Sequence, residues 1–269
     1  MKKYNADKMP LAQYWYVLEL NVKKSIKQQY RNSTLGVIWT VLNPLLNMLV
    51  MAFVFSTIFG RGNINMDYAC YLLAGNMIFG FMRGATTMSL TCVVENRDLM
   101  TKTRVPISTF TMAKTVTALT NFGFSMIALI LVMVVQYCRG QAVVFGVSML
   151  LAVLVVPALF MFSLGLGFFL STIYVRFRDV KHLYSVFLTL WMYATPIFYS
   201  LDFIKDDIVK KVIGINPMTI YVDIFRNVFI AGGAMDWMQL LIGFAWGIGM
   251  LLIGLLVFHK SKNSFVLHI

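Results

Sequence analysis

Charge is the first thing this chain is short of. Only 13% of its residues are Asp, Glu, Lys or Arg, well below the roughly one quarter typical of soluble domains. An ordinary water-soluble fold is thereby excluded. Histidine and cysteine are scarce too. His182, His259 and His268 are scattered, and Cys70, Cys92 and Cys138 are odd in number with no CxxC spacing. Neither a zinc site nor a disulfide framework is indicated; Cys70 and Cys138 fall near expected helix ends on one side, but packing or free thiols is the favoured reading. No GxxxxGK[ST] phosphate loop is present, so the chain cannot hydrolyse nucleotide by that route. HExxH and GxSxG are missing as well. None of the 11 acids lies deep in an expected span, which removes the carboxylate relay of proton-coupled pumps. The absences leave a passive pore or a permease driven by a separate engine.

Apolar residues are abundant: 59% of the chain, with mean hydropathy +0.75. Its 269 residues hold several spans of ~20 residues but no large soluble domain beside them. The expectation is one all-α integral membrane domain over residues 1–269: an amphipathic segment (1–34), six spans (35–258) and a tail (259–269). The first 34 residues have no continuous apolar core, so no cleavable signal peptide is expected.

Leu11, Trp15, Leu18, Val22 and Ile26 recur at helical spacing, with Lys23, Lys24, Lys27 and Arg31 toward the end. That pattern predicts a helix along the membrane surface, the alternative being a helix packed on a soluble partner. The first span covers 35–59, kinked at Asn43 and Pro44. The second covers 68–94 and carries Arg83, which must face protein, a wet cavity or the interface. A polar insert, 95–104, separates it from a third span that starts at Pro106, runs to Tyr137 and includes Lys114. The fourth covers 142–173, with Pro157, Gly165 and Gly167. The fifth, within 174–200, opens on Arg176, Arg178, Asp179 and Lys181 and closes on Tyr193, Phe198 and Tyr199. Residues 201–236 include a short apolar piece, 220–231, expected as re-entrant or interfacial. The sixth span, 237–258, holds Gly243 and Gly247 in GxxxG spacing, weak evidence of a dimer face.

Threading both ends inside puts 15 Lys and Arg against 5 acids on the inner side, and 6 against 6 outside. That asymmetry fits the positive-inside rule. The basic balance therefore reports orientation and anionic headgroups, and no nucleic acid is needed to explain it.

Four stretches carry a resemblance: QYRNSTLGVIWTVLNPLLNMLVMAFVFSTIFG (29–60), the 97–106 region, YVRFRDVKHL with WMYATPIFY (174–199), and INPMTIYVDIFRNVF (215–229). Together they resemble the membrane (permease) subunit of type-2 ABC transporters that export polysaccharide, the family of O-antigen, capsule and teichoic acid permeases. The resemblance implies a homodimer of six-span subunits in the bacterial plasma membrane, multi-pass with both termini cytoplasmic. It also implies two copies of a separate ABC ATPase binding ATP and Mg, no cofactor in this chain, and a lipid-linked polysaccharide as cargo.

By the same resemblance, Trp15, Leu18, Val22 and Ile26 would belong to the interface helix. Glu95, Asn96, Arg97, Asp98, Leu99, Lys102 and Arg104 would couple to the ATPase; a solvated loop is the plainer reading. Arg176, Arg178, Asp179 and Lys181 would meet a carrier pyrophosphate or form a gate, since arginine binds phosphate oxygens bidentately. The alternative is topological anchoring with an Arg–Asp pair. Tyr193, Phe198, Tyr199, Tyr221 and Phe225 could offer flat faces to sugar rings or form an ordinary interfacial belt. A type-2 exporter of a drug or small lipid shares the six-span plan. A membrane-embedded lipid-modifying enzyme would need convergent polar groups that the sequence does not show, and a secondary carrier would depend on an ion gradient without any ATPase.

Overall fold

The computed structural model describes residues 10–30, 39, 42, 45–47, 50, 54, 68–102, 105–140, 143, 145–201 and 204–268. The expected first span, with its Asn43–Pro44 kink, lies outside the described residues except at isolated positions. Among the described residues all regular structure is helical.

Helix α1, Leu11–Tyr30, puts only part of its expected apolar face against protein. Leu18 is buried and Val22 and Ile26 are half-buried, whereas Leu11, Trp15, Tyr16 and Leu20 stay exposed. Two long-range contacts tie it to the helix Ser108–Cys138: the Tyr14 hydroxyl meets Met112 Sδ at 3.6 Å, and Asn121 Nδ2 donates to Gln29 Oε1 at 3.5 Å. On its free side Glu19 pairs with Lys23 at 2.6 Å, and that bond holds the lysine pKa above its ordinary value.

The central rod is α2, Tyr68–Glu95, enclosed along most of its length by α4 (Ser108–Cys138) and α5 (Ser148–Arg176). Its side chains Phe79, Ile78 and Met82 sit at the middle of the main core. A short helix, α3 (Arg97–Lys102), joins α2 to α4. At 31 residues α4 is about 46 Å long, more than a bilayer core requires. It ends at Gly140, whose φ of 72° is the left-handed cap that glycine accepts without strain. Inside α5 the turn Ala152–Leu154 tightens to a 3-10 helix just ahead of Pro157. Proline has no N–H to offer the Val153 carbonyl, so the ladder shifts register there.

The expected fifth span is corrected. Helix α5 carries through Arg176, the chain breaks at an extended Phe177, and α6 covers only Val180–Tyr193. Its 14 residues measure about 21 Å, short of the hydrocarbon thickness. The remainder of the climb is irregular chain from Ala194 to Ser200. The cause is Pro196, which bars the α conformation at Thr195 and removes a backbone donor. Helix and loop together still traverse the level of α2 from Thr86, which accepts from the Tyr184 hydroxyl at 2.7 Å, to Tyr68, whose hydroxyl donates to Phe198 O at 3.0 Å.

Beyond the break lie α7 (Asp207–Ile215) and α8 (Pro217–Phe225). Asp206 caps α7 through Ile208 N and Val209 N, and Asn216 caps α8 through Met218 N with Pro217 in the first turn. A π turn, Arg226–Ile230, continues α8. The short apolar piece expected over 220–231 is thus a buried helix end, too short to cross.

Helix α9, Trp237–His268, runs on through the residues expected as a tail. It crosses α5 at backbone contact: a Cβ on Gly254 would strike the Gly165 carbonyl, and one on Gly247 would come within 2.6 Å of Ala158 O. The GxxxG pair is therefore used within the chain; Gly247 faces α5, and Gly243 faces Tyr221 of α8. Among the described residues four helices, α2, α4, α5 and α9, are long and apolar enough to cross a membrane. None of the three cysteines forms a disulfide: Cys70 and Cys92 are buried and Cys138 is exposed.

Candidate functional site

At the Glu95 end, Asn96 closes α2. Its backbone N donates to Cys92 O at 3.3 Å, the last bond of the α2 ladder, and its Nδ2 donates to the same carbonyl at 2.8 Å. Leu99 N then donates to Asn96 O at 3.1 Å and starts α3. Arg97 and Asp98 point to solvent, while Leu99 packs on a small core of Cys92, Val93, Phe110, Phe168 and Phe258. That core ties the ends of α2, α4, α5 and α9 together, with the Phe168 and Phe258 rings 4.9 Å apart. The result is a charged knob seated on a rigid base. Glu95 Oε1 accepts from Thr91 Oγ1 at 2.6 Å, and Glu95 Oε2 lies 3.9 Å from Lys114 Nζ on α4. Lys102 ends α3, and Arg104 lies outside the described residues.

The second basic group sits at the α5–α6 break. Arg176, Arg178, Asp179 and Lys181 are all exposed. Arg178 lies over the Tyr174 ring at 5.2 Å, and among the described residues no Arg–Asp ion pair forms in this cluster. Backbone bonds from Val180 to Phe177 O and from His182 to Asp179 O fix the turn, so the guanidinium groups project from a short rigid link.

The aromatic set divides at the opposite end of α6. Tyr193 is 61% exposed and stands 6.1 Å from the half-buried Phe198, while the Tyr199 hydroxyl donates to Tyr193 O at 3.0 Å. Tyr221 and Phe225 are enclosed by protein, at 1% and 0% exposure. Tyr221 donates to Gly243 O at 2.8 Å and packs on Phe162, and Phe225 stacks on Phe229 at 4.8 Å. They present no face to a passing ligand here. The Arg176 group and Tyr193 stand at opposite ends of a 14-residue helix, roughly 20 Å apart.

Sequence reasoning counted Arg226 only as an outer positive charge; the structure gives it a different part. It is 2% exposed and fills the Pro196 break: Nε donates to Tyr71 O at 3.0 Å, Nη1 to Pro196 O at 2.6 Å and Nη2 to Ile197 O at 2.8 Å. Its plane covers the Tyr71 ring at 3.5 Å. A broken helix inside a membrane protein leaves carbonyls that water cannot reach, and the rigid guanidinium fork serves two of them at once. Asn216 does related work, accepting from Trp191 Nε1 at 2.9 Å and donating to Thr195 Oγ1 at 3.1 Å. Arg83 faces α6, with Nη2 3.2 Å from Met192 Sδ and the guanidinium above Phe79.

A family profile described as "ABC-2 type transporter" matches residues 16–230. The O-antigen export system permease protein RfbA of Myxococcus xanthus is 31% identical over 220 residues, covering 81% of this chain and 82% of that protein. Two proteins of that same name from Klebsiella pneumoniae are 27% and 25% identical, each covering 98% of this chain and 96% of its own length.

Proposed function

The chain belongs to the ABC-2 type transporter membrane family, and from that premise we propose that it is the permease half of an ATP-driven exporter that carries a lipid-linked polysaccharide to the outer face of the bacterial plasma membrane. It is a multi-pass transport subunit and not an enzyme. The observation that carries the cargo class is the match, over nearly the whole chain, to relatives named for O-antigen export. A drug or small-lipid exporter is disfavoured on the same ground.

Six spans complete the plan, the first over 35–59 and the fifth formed by α6 with its irregular outer end. Both termini lie in the cytoplasm, where the excess of lysine and arginine is held by the positive-inside rule. The partner is an ABC ATPase, two copies serving a homodimer of this chain and supplying ATP and Mg. Helix α3 docks in the ATPase: Arg97 and Asp98 are presented outward, and Leu99 fixes them to the base of four long helices. Charges so placed set register more than affinity. Exposed Leu183, Val186, Phe187, Leu190 and Tyr193 form one face of α6, and this face, with the first span, lines the seam between the two copies. ATP-driven closure of the partner pushes α3 and α1, and the seam parts to admit the glycan. Arg176, Arg178 and Lys181 receive the carrier pyrophosphate at the inner mouth, with Asp179 fixing the turn. Tyr193, Phe198 and Tyr199 meet sugar rings at the outer end.

The test replaces Arg97 and Asp98 together by alanine and measures ATPase stimulation and export side by side. The reading expects export to fall at least ~10-fold with the assembled complex intact, as for loss of a charged contact of about 1.5–3 kcal/mol. Unaltered export would remove α3 from the coupling path.

A further inference from the structure

Between α1, the start of α3 and α4 lies a polar cavity of about 170 Å³. Asn21, Lys24 and Gln28 reach it from α1, Glu95 and Asn96 from the α2–α3 junction, and Lys114 from α4. We propose that this cavity holds the phosphodiester of an anionic phospholipid from the surrounding leaflet, clamping α1 to the coupling junction. The proposal rests on the reading of α1 and α3 as the ATPase-facing elements, and it adds a lipid to them.

Charge sets the ligand class. The titratable groups facing the cavity are Lys24 and Lys114 against the single carboxylate Glu95, a balance of one positive charge. A phosphodiester carries one negative charge and closes that balance. A pyrophosphate would exceed it and face Glu95 unshielded. Lys114 is the anchor, because its side chain is only 18% exposed. Its pairing with Glu95 is long, at 3.9 Å, since the other Glu95 oxygen is committed to Thr91 at 2.6 Å. The ammonium therefore keeps donors for a ligand oxygen, and the amides of Asn21 and Gln28 supply neutral donors beside it.

Hydrophobicity then selects a lipid over a free ion. One turn before Lys24 stands Leu20, 49% exposed, with Tyr16 at 63% one turn further back. Residues four apart share a helix face, so apolar surface leads directly into the cationic cavity. An acyl chain covers that surface while the headgroup enters; free phosphate leaves it bare.

The experiment uses the full chain purified with its partner ATPase, stripped of lipid and titrated with phosphatidylglycerol or phosphatidylcholine, with retained lipid counted by native mass spectrometry. Phosphatidylcholine has the same phosphate but adds its own cation, so the site should retain phosphatidylglycerol selectively. Lys24→Gln with Lys114→Gln should weaken retention about tenfold or more, and Lys114→Arg should restore most of it. Glu95→Gln should tighten retention, a sign that loss of structure alone does not produce. Lys24→Gln by itself, at the exposed rim, keeps the test readable if changes at Lys114 prevent assembly. Equal retention by the double variant, or equal retention of both lipids, overturns the proposal. Loading by inorganic phosphate with no lipid retained overturns the lipid assignment. Lipid mass is read without export, so a negative result here leaves the transport reading standing, and a failure of export leaves this one standing.

Discussion

Arg226 shows how one residue can decide whether an irregular stretch survives inside a membrane protein. The Pro196 and Ile197 carbonyls of the break have their donors from it, and Tyr71 O of α2 gains one more; each buried carbonyl left bare costs about 1–3 kcal/mol. Arg226→Leu should therefore cost about 3 kcal/mol or more, seen as a melting temperature lower by roughly 6–12 °C for a chain of this size. Gly75 is the companion position, since a Cβ there would land on Arg226 Nη2. Gly75→Ala should be harmful in the native background and much less so when Arg226 is already leucine; additive losses in that cycle would show that the two do not act together. Little of this was legible beforehand. Arg226 read as one more outer charge because the sequence does not announce that Pro196, thirty residues away, creates the carbonyls it serves. Asn216–Pro217 was legible as a helix start in principle, through the capping preference of asparagine and the first-turn preference of proline.

At the level of elements, periodicity and hydropathy located α2 and α4 to within two residues, because long apolar helices are specified locally, but began α5 six residues early and ended α9 ten residues short, where apolarity gives way to the polar end of a continuing helix. The polar insert before Pro106 was equally plain, and it folds as a short helix on a hydrophobic base. The fifth span was overestimated because hydropathy has no means of separating a helix from buried irregular chain. The GxxxG spacing in α9 revealed close approach but not its partner, which is α5 and α8 of the same chain. That crossing makes a contrast: Gly165→Leu would drive a side chain into the α9 backbone at Met250, whereas Gly249 has open space around it. Gly165→Leu should abolish recovery of folded protein in a detergent-extraction assay, and Gly249→Leu should be recovered at near native yield. Similar yields for the two would refute the backbone-contact account of the crossing. On α3, if it couples to the ATPase as proposed, Leu99→Asp should lower stability and export together by unseating the knob from its core, while Arg97→Ala should lower export with the melting temperature unchanged.

The described residues divide into a cohesive bundle and faces left apolar and exposed, on α6 above all. The aromatic set inferred from sequence divides the same way: Tyr221 and Phe225 hold the bundle together, while Tyr193 looks outward. On the proposed function, force would enter at one end through α3 and α1 and be released at the other, where α6 meets its irregular cap. The most direct test joins this chain to its partner ATPase in sealed vesicles containing a lipid-linked polysaccharide, and follows the appearance of glycan on the far leaflet. The account predicts movement that requires ATP hydrolysis and stops when the ATPase is inactivated or left out. Movement that persists without the ATPase, or that follows an ion gradient instead, would contradict it.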